Sequence, residues 1–443
     1  RSLARLRREV EPVEQAALAR FATAWHGLDA PRPGEGALLD AIAQLQGAFI
    51  PASDLESRVL PSRVSGYDEG DLDALLASGA AVWVGGGASG PHDGKVSIFL
   101  TEHLALLPEP RDERPTGTTH QKIRELLAAR GALFFPQLLA GLGGGFTPEV
   151  LEALWDLVWS GEVTNDTLQP LRGFIRSPVS RARRRANAAR RSTYPTRASM
   201  LVSAERAAIY SRESAGRWSL IDSLRVPNLT ATERVTARVH QLLERHGIVT
   251  REAVQAEGVS GGFAAVYGVL KAMEDAGRVR RGYFVAGRGA TQFALPGAVD
   301  RLRVVREAGS SRGDESAPRV VTLAAADPAN LYGAALAWPD RPEGRRPMRS
   351  AGALVVLIDG VLAAWLARDE RALLTFTDGE EHEIATARGL IATALAAEAS
   401  PDRRAPFFLD EIDGLPVDES PLAEPLRAAG FTRTPRGYLK RNA

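Results

Sequence analysis

The segments LDALLASGAAVWV (residues 72–84), LEALWDLVWSGEVT (151–164) and VLKAMEDAGRVRRGYF (269–284) repeat one pattern: a Leu-rich helix that runs into a glycine and then into a strand. Gly79, Gly161 and Gly277 stand where each helix must stop, because a glycine just past a helix end takes the left-handed conformation without a Cβ penalty. A helix that ends this way and leads into a strand and hairpin is the second half of a winged helix. Such modules most often dock on nucleic acid. A repeat outweighs any single motif in deciding an architecture, so an α+β chain of tandem winged-helix modules is expected.

Around these repeats the chain divides into a leading helix (1–36), winged helices at 37–110, 115–175 and 229–300, an arginine-rich linker at 176–228, and a final domain at 315–443. In the first module ALLDAIAQLQG has helical apolar spacing, and residues 51–54 open a second helix with a capping residue and an acidic start. Its wing is GGGASGPHDGK, closed by VSIFL. In the second, Thr147 is placed to cap a helix with Pro148 at its first position. The third presents residues 261–271 as a recognition face, with Lys271 on it and Arg278, Arg280 and Arg281 leading into the wing. From about residue 319 short apolar runs separated by turns, among them a tight hairpin at Asp359 and Gly360, predict a small β-barrel-like α+β domain.

Composition narrows the function. The 443 residues exceed one compact core, and 44% hydrophobic with 25% charged residues describes a soluble globular chain. There is no cysteine, which excludes disulfides, thiolate chemistry and Cys-ligated zinc; no metal site is expected. No apolar stretch reaches the roughly 18 residues of a membrane span, so no membrane partner and a cytoplasmic location are expected. The first segment reads as a helix already under way, which predicts the C-terminal piece of something longer.

The net charge of +1 hides an asymmetry. Between residues 172 and 197 lie nine arginines and no acidic residue. Such a run is either a solvated linker or a segment that follows a nucleic-acid backbone, and the two are compatible. Arg181, Arg183, Arg184, Arg185, Arg190 and Arg191 are its candidate phosphate contacts.

Several features compete with this reading. Gly85, Gly87 and Gly90 spell GxGxxG after a strand, but a dinucleotide fingerprint needs a helix to begin there, and residues 91–94 turn the chain into another strand. Gly94 and Lys95 fail as a phosphate-binding loop because Ser89 replaces its first glycine and Val96 its hydroxyl. TNDT (164–167) and Asp327 with Asn330 in DPANLYG are either polar turns or sites. Trp155 and Trp159 are either module core or a surface between subunits.

The runs EVEPVEQAALARFATAWHGL, LWDLVWSGEVTNDTLQPLR, GRWSL, AADPANLYGAALAWP and AGALVVLIDG resemble the C-terminal region of bacterial large helicase-related proteins, across essentially the whole chain. The resemblance implies an ATP-driven helicase core N-terminal to tandem winged helices and a β-barrel, translocation on single-stranded DNA, unwinding of RNA:DNA and DNA duplexes, and a role in DNA repair. It implies as partners single-stranded DNA or an RNA:DNA hybrid, the helicase core of the same chain, and further copies of the protein. ATP and magnesium belong to that core; its motifs do not occur in this sequence, so no cofactor is expected for these residues.

The array is also similar to DNA glycosylases of the AlkZ and YcaQ type, which use a Gln-x-Gln or related pair, and Gln44-Leu45-Gln46 stands at a comparable place. Base excision requires a flipped base and a positioned water; two amides could hold that water but could not act as a general base. Gln44 and Gln46 are therefore either catalytic or a polar face between helices. A nucleic-acid-binding and assembly region of a repair helicase is the leading expectation, a glycosylase of damaged or deaminated bases the alternative, and a transcriptional regulator the third.

Overall fold

A computed structural model describes residues 11–106, 114–144, 147–176, 212–289, 291–310, 317–341, 344–399 and 407–441. The chain forms two compact units, residues 32–241 and residues 1–31 together with 242–443.

Helix α1 (Gln15–Trp25) opens the described chain. The first winged helix then follows as α2 (Glu35–Leu45), β1 (Ile50–Pro51), a short helix over 52–59, α3 (Glu69–Ala77), β2 (Ala81–Ala88) and β3 (Gly94–Leu100). The second comprises α4 (Thr118–Arg130), β4 (Leu133–Phe134), α5 (Phe135–Gly141), α6 (Thr147–Trp159), β5 (Val163–Asn165), α7 (Gln169–Arg176) and β6 (Arg217–Leu220). The third has α8 (Ala231–His246), β7 (Ile248–Val249), α9 (Arg251–Ala256), α10 (Gly262–Asp275), β8 (Arg280–Gly282) and β9 (Gln292–Ala294), with α11 (Pro296–Ser310) after it. The sheets run β1-β3-β2, β4-β6-β5 and β8-β9-β7. In each, the last strand lies between the first and second, so the three modules share one topology.

The glycine stops recur as expected. Gly79, Gly161 and Gly277 have φ of 77°, 77° and 70°. Each makes the same paired bonds: Gly79 N–H to Leu76 O with Ala80 N–H to Leu75 O, Gly161 to Val158 with Glu162 to Leu157, and Gly277 to Glu274 with Arg278 to Met273. These are Schellman caps, which satisfy carbonyls that the helix end leaves open.

Of the linker expected at 176–228, residues 177–211 lie outside the described residues, and 217–220 form a strand. Trp218 pairs with both Leu133 and Asn165, so β6 is the central strand of the second module. Residues 166–216 are the connection within its own hairpin. The tryptophans of α6 are core: Trp155 and Trp159 are buried and stack at 5.5 Å, with Phe174 of α7 and Trp218 of β6 against Trp155 at 4.5 and 5.8 Å. One aromatic cluster thus holds both ends of the connection.

The first and second modules are joined by polar contacts that absorb several flagged residues. Thr164 Oγ1 donates to Trp83 O at 2.6 Å, Asn165 Nδ2 to Ala215 O, and Asp166 accepts from Arg217 N and Nε, so TNDT is a structural turn. Arg172 binds Glu56 through Nε (2.7 Å) and Nη2 (2.8 Å) and Asp73 through Nη1 (2.6 Å). Tyr67 donates to Glu56 at 2.5 Å, and burial pushes its phenol pKa up, with the Glu56 charge adding to the effect. Of the GxGxxG glycines, Gly85 serves this packing too, and its neighbour Gly86 packs within the first module. A Cβ at Gly85 would collide with the Val158 carbonyl of α6, and one at Gly86 with the Phe49 ring.

Residues 320–440 form an open sheet rather than the expected barrel. Strands β10 (Val320–Ala324), β11 (Leu354–Ile358), β12 (Val361–Leu366), β13 (Ala372–Thr375), β15 (Glu411–Ile412) and β16 (Leu415–Pro416) pair in that order, while β14 (Phe407–Leu409), β17 (Thr432–Thr434) and β18 (Gly437–Lys440) form a second sheet, β14-β18-β17. The edges β10 and β16 do not pair with each other. The physical reason is that both faces are buried. Val355, Leu357 and Trp365 enter one core with α1 and α11, whereas Leu354, Val356 and Leu366 enter another with α12 (Glu381–Ala397) and α13 (Ala423–Ala428). Alternation along strands that read as continuously apolar therefore serves two cores, not a lumen. The β11–β12 hairpin turns at Asp359 (φ 48°) and Gly360 (φ 82°), the two left-handed positions of a type I′ turn.

Helix α1 is not a separate leading element. Val13 bridges to Val285 of the third module's wing, Trp25 Nε1 donates to Glu244 O at 2.7 Å, and Phe21 is fully buried beside Ile248 and Ala298. DPANLYG is a turn: Asp327 Oδ1 accepts the Ala329 N–H, Asn330 Nδ2 donates to Ala325 O, and Arg349 reaches the carbonyls of Ala326, Asp327, Asn330 and Tyr332. Burial pulls the Arg349 guanidinium down to about 10, against the pull of Asp327 and Glu257.

Candidate nucleic-acid interface

The third winged helix carries the described part of the expected site. Thr250 caps α9, its Oγ1 accepting the Ala253 N–H at 3.2 Å, and α10 starts at Gly262 (φ 60°) after Gly261 (φ 77°), where a larger residue would be strained. Behind these helices, fully buried Arg245 pairs with Glu257, which also lies 3.0 Å from His246 Nε2. Burial by itself would raise the Glu257 carboxyl, but Arg245 and His246 outweigh it and hold the group well below its ordinary value. This cluster locks α9 against α8.

Val266, Leu270 and Met273 turn one stripe of α10 inward. The opposite face carries Ala264, Ala265, Gly268, Lys271, Ala272 and Asp275, all exposed. Lys271, Arg278, Arg280 and Arg281 are exposed: Lys271 lies on α10, Arg278 between α10 and β8, and Arg280 and Arg281 on β8. Arg281 Nε is 3.1 Å from Glu274, so part of its charge is already met. Among the described residues, Lys271, Arg278 and Arg280 have no ion pair. Arg181, Arg183, Arg184, Arg185, Arg190 and Arg191 lie outside the described residues. Arg172 and Arg176, from the same run, are ion-paired to Glu56, Asp73 and Glu69 within the fold.

A feature that the sequence reading missed adjoins this face. Arg251, Gln255, Val259, Gly262, Phe263, Ala264, Tyr267 and Thr291 line a groove of about 620 Å³. Phe263 and Tyr267 are half-buried and rest on Phe293 of β9 at 6.4 and 5.9 Å, and the Arg251 guanidinium lies 6.0 Å from the Phe263 ring centre. The available signal was the i, i+4 spacing of two aromatics on a helix already credited with an outward face.

Gln44 and Gln46 have a different environment. Gln46 follows the last residue of α2 and is buried; its Oε1 accepts the Leu100 N–H at 3.3 Å and its Nε2 lies 2.9 Å from His103 Nδ1. Gln44 is half-buried on α2. An amide spent on a strand end is the contact expected of a polar group between elements. Asp166 and Asp327 are held by the turn contacts above. Among the described residues, no cluster of His, Asp and Glu suits a metal ion, and no helix is long and apolar enough to cross a membrane.

Family models agree with the first and third winged helices. Models of the winged-helix domain of large helicase-related proteins match residues 13–101 and 228–314. A protein of Mycolicibacterium smegmatis described as an Lhr helicase and probable uracil glycosylase is 41% identical over 453 aligned residues, covering 100% of this chain and 29% of its own length. The Escherichia coli Lhr helicase/uracil glycosylase is 38% identical, covering 97% of this chain and 28% of its own length. The chain thus spans less than a third of the curated relatives it matches. The solved DNA glycosylase AlkZ of Streptomyces sahachiroi aligns over 86% of this chain and 96% of its own, at 14% identity and a TM-score of 0.48. The chain belongs to the family of large helicase-related proteins.

Proposed function

We propose that this chain is a nucleic-acid-binding region of a DNA repair helicase, engaging the phosphate backbone through Lys271, Arg278 and Arg280 of the third winged helix and through the arginines of 181–191. The observation that carries the reading is the exposed cationic approach to the third wing, free of ion pairs among the described residues, in a module built like the two before it. Its partners are single-stranded DNA or an RNA:DNA hybrid and a helicase core in the same protein; ATP and magnesium act at that core. Self-association is a further part of the proposal, and light scattering at micromolar concentration tests it: a strictly monomeric mass removes it for this chain.

The binding test is a salt titration. Each phosphate contact contributes roughly 0.7 to 0.9 to the slope of log K against log salt, so replacing Lys271, Arg278 and Arg280 together by alanine flattens that slope by about 2 units. An unchanged slope overturns the assignment.

A second reading is favoured by both curated relatives, one described as a uracil glycosylase and the other as a probable one. On this reading the chain takes part in excising uracil, and a uracil-bearing oligonucleotide is cleaved by alkali after incubation with it. Gln46 then acts by holding the β3 end in place, and the group that activates water is another. An oligonucleotide left intact removes this second reading and leaves the first standing.

A further inference from the structure

We infer that the groove between α9 and α10 receives one unstacked nucleobase of a single strand, laid on the ring faces of Phe263 and Tyr267 with Arg251 and Gln255 at its rim. This deepens the proposed function and rests on it. The first argument is what the recognition helix lacks. Reading a duplex in the major groove requires donors and acceptors that reach base edges, and the exposed face of α10 offers Ala264, Ala265, Gly268 and Ala272, with Lys271 and Asp275 its polar side chains. A helix of that composition approaches a backbone closely but cannot discriminate base pairs.

The second argument is what the groove supplies. Its volume of about 620 Å³ lies within the range of about 300–1,000 Å³ of small-ligand sites. Phe263 and Tyr267 give it a floor fixed from below by Phe293, so stacking costs little ordering. Among the described residues, the Tyr267 hydroxyl and the Gln255 amide have no hydrogen-bond partner, and Arg251 has only its contact with the Phe263 ring. Ala264 and Thr291, both small, leave the floor open. The third argument is charge. Lys271, Arg278 and Arg280 belong to the same module, so a strand drawn to these cations has its bases within reach of an aromatic platform, the pairing by which single-stranded nucleic acid is held without sequence preference.

The test uses the full chain, a single strand carrying 2-aminopurine, and the duplex of the same length. Tyr267→Ala should weaken single-strand binding roughly 5- to 150-fold, abolish the quenching of 2-aminopurine, and leave duplex affinity and the salt slope unchanged; Tyr267→Phe, which keeps the ring, should stay within about threefold of wild type. Arg251→Ala, an exposed position that does not threaten folding, should weaken single-strand binding in the same selective way, and it keeps the test decisive if Tyr267→Ala loosens the module. Wild-type affinity for the single strand in both alanine variants, or equal loss on single strand and duplex, overturns the groove while the binding function stands. A chain that binds neither nucleic acid overturns both. Displacement of the strand by an aromatic peptide but not by free nucleoside identifies the groove as a peptide site and overturns the inference.

Discussion

Replacing Arg172 by alanine should unfold the unit formed by residues 32–241 far more readily than replacing Arg176, although both open the same arginine run. Arg172 makes two short bonds to Glu56 and one to Asp73, and a fourth from Nη2 to Glu69 O at 3.0 Å. Its side chain is 9% exposed, and those of Glu56 and Asp73 are 12% and 24% exposed. Removing the guanidinium leaves two carboxylates without their cation in a site largely closed to water, a loss that costs about 3–5 kcal/mol. Arg176 meets Glu69 at 2.5 Å with side chains 53% and 45% exposed, where a pair contributes about 0–1 kcal/mol. With a urea dependence of about 1–3 kcal/mol per molar, Arg172→Ala should lower the midpoint by more than about 1 M and Arg176→Ala by a few tenths. Tryptophan fluorescence reports the transition, since Trp155 and Trp159 pack on Phe174 of α7 and Trp218 packs on Trp155. Midpoints that agree for the two variants would refute the assignment of Arg172 to the fold.

Glu257→Gln should destabilise the third winged helix at neutral pH by about 3–5 kcal/mol, because Arg245 is then buried without its counter-charge. The folded pKa of Glu257 lies below its ordinary value of 4.5, so its contribution is complete above that value and is lost as pH falls toward the folded pKa. The gap between wild type and variant should therefore narrow below about pH 4.5, as read by urea midpoints across pH. Gln46→Ala should lower stability by about 1–3 kcal/mol through the stranded Leu100 N–H; a variant that loses activity with an unchanged melting temperature would return Gln46 to the chemistry. Gly85→Ala should cost about 1–3 kcal/mol or more through overpacking against the Val158 carbonyl, and a midpoint equal to wild type would contradict that close approach.

The sequence by itself determined the repeated unit. A helix that ends in a left-handed glycine is a local device, set by φ and by two hydrogen bonds within six residues, and so the three Schellman caps and the modules around them were legible. Local turn chemistry likewise fixed the Asp359–Gly360 hairpin. The cationic residues of the third wing were legible as exposed charges, whereas the aromatic floor beside them emerged only once α9 and Thr291 were placed against α10.

What only the tertiary structure decided was pairing at long range. The strand RWSL returns to its module after a long connection, and no periodicity announces which sheet a four-residue strand completes. Arg172 and Arg176 read identically beside their neighbours until burial separates them, since the sequence states a charge but not the carboxylates that meet it. Gln46 lies two residues from Gln44, yet its partner is the end of a strand more than fifty positions on. The strands from residue 320 announced their apolar character without saying that it serves two cores, which is why an open sheet stands where a barrel was expected. Helix α1 had an apolar face in any reading; only the folded chain shows it spent against Ile248 and Ala298, because hydrophobic burial is non-directional and an amphipathic face does not name its partner.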